Sequence, residues 1–169
     1  MKTLLLALVV LLSGCASVGR DRAVNAHLSD IGSTAVALAA GGVEMNPLGW
    51  VALPLKALQM RIIAAEPEPT VRAEAYIQVA AVTNGVSANN VCIAISLIFT
   101  LGLAVPVCPS VGVAWGAYDY HQQMDPEKFY QAFCEEWKKE KPGNTCAPYV
   151  PPNGDRFSQL GSLTADSPD

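Results

Sequence analysis

The alternation of apolar and polar positions along this chain follows a helical rather than a strand period. An alanine-rich stretch from about Ala26 to Ala40 closes on Gly41-Gly42, a common way for a helix to end. Asn46 followed by Pro47 supplies a cap and a first-turn residue for a second helix reaching about Ala65. Glu66-Pro67-Glu68-Pro69 reads as a stiff acidic connector. Thr70 is placed to cap a third helix over 71–84, and Asn84-Gly85 would end it. A fourth helix is expected from near Ser87 to about Leu103, after which Pro106 and Pro109 break the chain and an apolar, glycine-containing piece covers 110–118. The clearest amphipathic pattern comes last. Asp125 caps it, Pro126 takes its first turn, and Phe129, Tyr130, Phe133 and Trp137 fall on one face. Lys138, Lys139 and Lys141 suit the negative end of that helix dipole. Strand signals are weak and no internal repeat stands out, so the expected fold is all-α, a small bundle of about five helices. From Pro148 onward Pro, Gly, Ser and Asp displace apolar residues, which predicts a disordered tail over 148–169.

One interval complicates that picture. Ala75 to Tyr118 is a run of 44 residues without a charge, and Val91–Val107 within it is strongly apolar. Such a run suits a buried or surface-lying hairpin, or helices that span a bilayer, for which roughly 20 apolar residues are needed. Asn84, Ser87, Asn89 and Asn90 crowd one side of the apolar core, and Gly102, Pro106 and Pro109 interrupt the other. Two cysteines provide a geometric test. A straight helix would hold Cys92 and Cys108 about 24 Å apart, whereas a disulfide needs Cα atoms roughly 4.4–6.8 Å apart. If the two are bonded, the segment folds back and does not cross a membrane once. Both placements remain open on sequence.

Charge and cysteine content narrow the function classes. The chain carries 11 Lys and Arg against 15 Asp and Glu, and no basic cluster that could neutralise phosphates, so nucleic acid is not an expected partner. Apart from Cys15 there are four cysteines, Cys92, Cys108, Cys134 and Cys146, an even number that predicts two disulfides in an exported protein. Cys134–Cys146 is favoured because Lys141-Pro142-Gly143 lets the chain turn back between them, and Cys92–Cys108 follows by elimination. No CxxC spacing is present, so neither a zinc site nor a thioredoxin-like activity is expected, and no cofactor or metal is implied. Asp119-Tyr120-His121 and Cys134 are fragments of a nucleophile–base arrangement, but a disulfide would consume the thiol. Asp119 and His121 lack a third ligand at useful spacing. His27 is expected to be solvated. With no GxSxG, HExxH or phosphate-binding loop, no catalytic residue is assigned and the chain is not expected to be an enzyme.

The N-terminus reads as a secretory signal: Lys2, then an apolar run from Thr3 to Leu12 too short to span a bilayer. Leu12-Ser13-Gly14-Cys15 follows, and this resembles the lipobox of bacterial lipoprotein precursors. The resemblance implies cleavage before Cys15, a diacylglycerol thioether on its sulfur and an acylated amine, with membrane lipid as the partner. Two or three acyl chains at about 0.8 kcal/mol per buried methylene would make attachment effectively permanent. Cleavage would leave 155 residues with a net charge near −5. By the same resemblance, Ala16 in place of an aspartate points to the periplasmic face of the outer membrane rather than the inner membrane.

A second, local resemblance lies in residues 30–47. Asp30, Ser33, Thr34, Leu38, Gly41, Glu44, Asn46 and Pro47 stand in an arrangement similar to a signature of an uncharacterised family of small prokaryotic membrane proteins. It implies membrane helices and no chemistry. Read from the residues alone, Asp30, Thr34, Leu38 and Gly41 share one helix face, with small neighbours that permit close helix approach. Asp30, Glu44 and Asn46 are then a structural polar latch around a helix–turn–helix. Gly112 and Gly116 form a GxxxG, a packing motif that is frequent by chance.

The expected organisation is a signal peptide over 1–14, a lipidated tether over 15–23, a helical domain over 24–147 and the tail. The expected function is that of a lipid-anchored cell-envelope protein, a non-catalytic accessory or structural component that meets membrane or an envelope protein. Two alternatives accompany it: a periplasmic inhibitor or immunity-type binding lipoprotein, and a multi-helix integral membrane protein.

Overall fold

A computed structural model describes residues 17–42, 49–143, 145–147 and 149. Among them the chain is all-α, with helices α1 (Gly19–Ala39), α2 (Gly49–Ala64), α3 (Pro69–Thr100), α4 (Cys108–Gln123) and α5 (Pro126–Glu140), plus one 3-10 turn at Val105–Val107. Both expected disulfides are present. Cys92 and Cys108 lie 5.4 Å apart at Cα, and Cys134 and Cys146 6.0 Å apart. The first pair joins α3 to the start of α4, so the intervening segment folds back and is no single span.

Cross-helix contacts give the helix directions. Asp119 on α4 takes hydrogen bonds from Arg22 on α1 and Asn84 on α3. Asn90 on α3 reaches Asp30 and Thr34 on α1. Lys56 on α2 pairs with Asp30, and Ile63 packs with Ala23, Tyr76 and Val79. Hence α1 and α3 run one way, and α2 and α4 return. α3 contacts every other helix. The short α5 closes one end, where Ala132 is buried with Ala73 and Ile77, and Tyr120, Met124, Phe129 and Phe133 pack around them. All the described charged residues except Asp30 and Lys56 lie toward this end. The opposite end is the turn after α3.

Several boundaries differ from the sequence expectation. The tether was expected to run to residue 23, but α1 begins at Gly19, because Ala23 is fully buried and Arg22 is held by Asp119. Two helices were expected to break at Asn84-Gly85, yet α3 runs through without interruption. Gly85 is there for contact, not termination. A Cβ on it would sit 2.7 Å from the Gly112 carbonyl oxygen, and one on Gly116 would sit 3.0 Å from that of Ala81. The GxxxG on α4 is therefore the crossing point of the two helices. Thr70 is not the cap; Glu68 holds that position, with Pro69 in the first turn. The piece over 110–118 is part of α4. The expectation for α5 holds in detail, with the Asp125 carboxylate accepting from the Glu127 amide at 3.2 Å. The signal peptide, the Asn46-Pro47 cap and all of the expected tail except Tyr149 lie outside the described residues.

Candidate functional site

The interior of the bundle is polar at successive levels. Nearest α5, Arg72 bonds Glu136 at 2.9 Å and Glu140 at 2.6 Å, and Lys139 also reaches Glu136. One level further, Arg22 and Asp119 form a buried ion pair, with Asn84 donating to the second Asp119 oxygen at 2.9 Å. Above it lies the Asp30–Lys56 pair, where the Asn90 amide donates to Asp30 at 3.2 Å and to Thr34 at 2.9 Å. Ser96 and Thr100 complete the series, their hydroxyls 3.1 Å apart near the end of α3. Small residues make room for these groups: Ala23, Ala26, Ala37, Ala80, Ala81 and Ala94 are buried.

The exterior is the reverse. Large apolar side chains are exposed on all four long helices, including Leu28 and Leu38 on α1, Leu58 and Ile62 on α2, Val82 and Ile98 on α3, and Val113 and Trp115 on α4. Every fully exposed charged residue among those described sits on the first turn of α1, the last turn of α2, the following link, or from Asp125 onward. α3 is the one described helix long and apolar enough to cross a membrane, and only 28% of its apolar window is buried. A core helix of a water-soluble domain would be mostly covered. The apolar surface is densest at the turn after α3, where Leu101 is 92% exposed, Leu103 86% and Phe99 68%. An open groove of about 750 Å³ between α3 and α4 continues that surface, lined by Val82, Val86, Pro109 and Val113 over the glycines.

At the other end the chemistry is that of a soluble surface. Partial burial, and then Asp21 across the α1–α5 contact, hold the Glu135 carboxyl above its ordinary range, with Lys139 opposing.

The residues singled out in the sequence separate accordingly. Asp30 is buried and holds α1 to α2 and α3, whereas Glu44, Asn46 and Cys15 lie outside the described residues. Leu38 was placed on the face of Asp30; it points outward, and the inward face is Asp30, Ser33 and Ala37. His27 is buried rather than solvated, with both ring nitrogens unpartnered. Asp119, His121 and Cys134 do not assemble into a nucleophile–base arrangement: Asp119 is engaged by Arg22 and Asn84, His121 is exposed, and Cys134 is disulfide-bonded. No group of three metal-ligating side chains occurs among the described residues. Arg22, Lys56 and Arg72, whose buried ion pairs organise the interior, were not foreseen, since their partners lie 26 to 97 residues away.

No family model, curated protein or solved structure matches the chain.

Proposed function

We propose that this protein is a lipid-anchored, non-catalytic component of the bacterial cell envelope, held by acyl chains on Cys15 and by direct contact of its helical surface with a membrane. The observation that carries the reading is an inversion beyond the Ile63–Tyr76–Val79 cluster: from Asn84 to the turn after α3 the buried side chains are polar or small, and leucine, isoleucine, valine and phenylalanine lie outside. In water that arrangement exposes apolar surface and buries charge, both unfavourable. Against acyl chains it is the favourable one, because polar groups find partners within the protein and the exterior matches its solvent. The lipobox supports export and acylation, and Ala16 supports the periplasmic face of the outer membrane. The same inversion favours the integral reading over the soluble binding lipoprotein.

Mass analysis of the mature protein should show an N-terminus at Cys15 with the added mass of its acyl groups. A Cys15→Ser chain, exported through a conventional cleavable signal, should still need detergent to be monodisperse. A detergent-free monomer would remove the membrane-contact half of the proposal and restore the soluble binder.

A further inference from the structure

The turn between α3 and α4 has a property that neither its composition nor its exposure requires. Leu101 and Gly102 both take positive φ, 50° and 88°, which turns the chain abruptly after α3. Each backbone amide that follows is then satisfied within the turn. The Gly102 N–H donates to the Ser96 carbonyl at 3.1 Å, Leu103 to Thr100 at 3.1 Å, Val105 to Gly102 at 3.1 Å and Val107 to Ala104 at 3.1 Å. The Ala104 N–H donates to the Ser96 hydroxyl at 3.0 Å. Residue 106 is proline and has no N–H. In water such bonds are common at helix ends but dispensable, since solvent also satisfies exposed amides. In hydrocarbon each unsatisfied N–H costs several kcal/mol, so the turn must supply its own acceptors. The side chains agree: Phe99, Leu101, Leu103 and Val107 face outward, with no charged residue between Glu74 and Asp119.

Position in the bundle adds direction. Ser17, two residues from Cys15, sits at the charged end, where its hydroxyl accepts from Asn25 at 3.1 Å and its carbonyl from Arg22 at 3.5 Å. From the Asn84–Asp119 level to Leu101 is about 25 Å along α3 at 1.5 Å per residue. The hydrocarbon core of a bilayer is roughly 30 Å thick. Ser17 and the turn are therefore at opposite ends of a bundle nearly as long as a bilayer is thick.

We propose that the α3–α4 turn, Phe99–Val107, inserts tip-first into the acyl-chain region of the membrane that holds Cys15, while α5 and the charged end stay at the lipid–water interface. This rests on the envelope reading above and adds to it an orientation and an inserted element.

The test uses the full acylated chain in phosphatidylethanolamine–phosphatidylglycerol vesicles. With Trp50, Trp115 and Trp137 replaced by phenylalanine, Leu103→Trp reports on the tip. A chain keeping only Trp137 reports on α5. Acyl-chain-brominated lipid should quench the tip probe several-fold more than Trp137, and aqueous acrylamide should do the reverse. Val107→Trp repeats the measurement at a second position should the Leu103 variant misfold. Acrylamide access to both tip probes equal to that of Trp137, in protein that still floats with vesicles, would overturn tip insertion and leave the anchoring intact. Protein that does not float at all would overturn both.

Discussion

Helix α5 and the α3–α4 hairpin belong to one chain but follow opposite rules of burial. On α5, Ala132, Cys134 and the Arg72-paired Glu136 face inward, while Lys138, Lys139 and Glu140 face outward, the amphipathic arrangement of a helix at a charged surface. On the hairpin, Ser87, Ser96, Asp119 and Gln123 face inward, while Val82, Ile98, Phe99 and Val113 face outward. Small side chains alone do not make the difference, since alanine is buried in both regions, Ala132 on α5 and Ala80, Ala81 and Ala94 on α3. What differs is which side chains face outward, charged ones on α5 and apolar ones on the hairpin. Under the proposed function, one end of the molecule is stabilised by removing apolar groups from water, and the other would be stabilised by close backbone approach and internal polar pairing among acyl chains.

That contrast can be broken by substitution. The largest effect is expected from Asp119→Ala, which leaves the buried Arg22 guanidinium without its carboxylate; loss of one partner of a buried pair costs about 3–5 kcal/mol. Denaturant titration of the vesicle-bound protein should show it, and a loss under 1 kcal/mol would mean that the pair is hydrated and the interior not sealed. Next come paired lysine substitutions at exposed positions. Ile95→Lys, at an exposed position midway along the inserted hairpin, should lower stability or insertion in vesicles by about 2.5–3.5 kcal/mol, the scale for lysine at the centre of an acyl layer. Gln131→Lys on α5 should stay within about 0.5 kcal/mol, as on a soluble surface. Equal effects at the two sites would erase the distinction. Between those two falls Asp125→Ala, which removes the α5 cap and should cost about 1 kcal/mol in the same titration.

Much of the architecture was legible because its signals are local. Asp125-Pro126 and the aromatic face announce α5, and Pro67 with Pro69 marks the link before α3. The cysteine arithmetic, joined to the turn at Lys141-Pro142-Gly143, gives both disulfides. Where reading failed, a distant partner decided. Asn84-Gly85 carries a helix-stop signature, but Asn84 is there to bond Asp119, 35 residues on, and Gly85 to admit the α4 backbone. His27 was expected to be solvated but is buried, and helical spacing set Leu38 on the face of Asp30 although it is exposed, because Ser33 and Ala37 turn the buried face away from it. The charge-free run over 75–118 signalled the anomaly without saying which side of the helices would face outward. The buried Arg22–Asp119 pair and the half-buried Lys56–Asp30 pair had no signature at all, since each joins helices whose packing no sequence spacing reveals.

The bond between Cys92 and Cys108 imposes a chronology on such a molecule. Thiol–disulfide exchange proceeds through a thiolate, and an isolated anion is prohibitively costly among acyl chains. With the tip immersed, this crosslink is out of reach of soluble thiols. It must close while the hairpin is still wet, so oxidation comes first and lipid second. Cys134–Cys146 would lie at the interfacial end, where the half-buried Cys146 keeps partial contact with water after the tip is immersed.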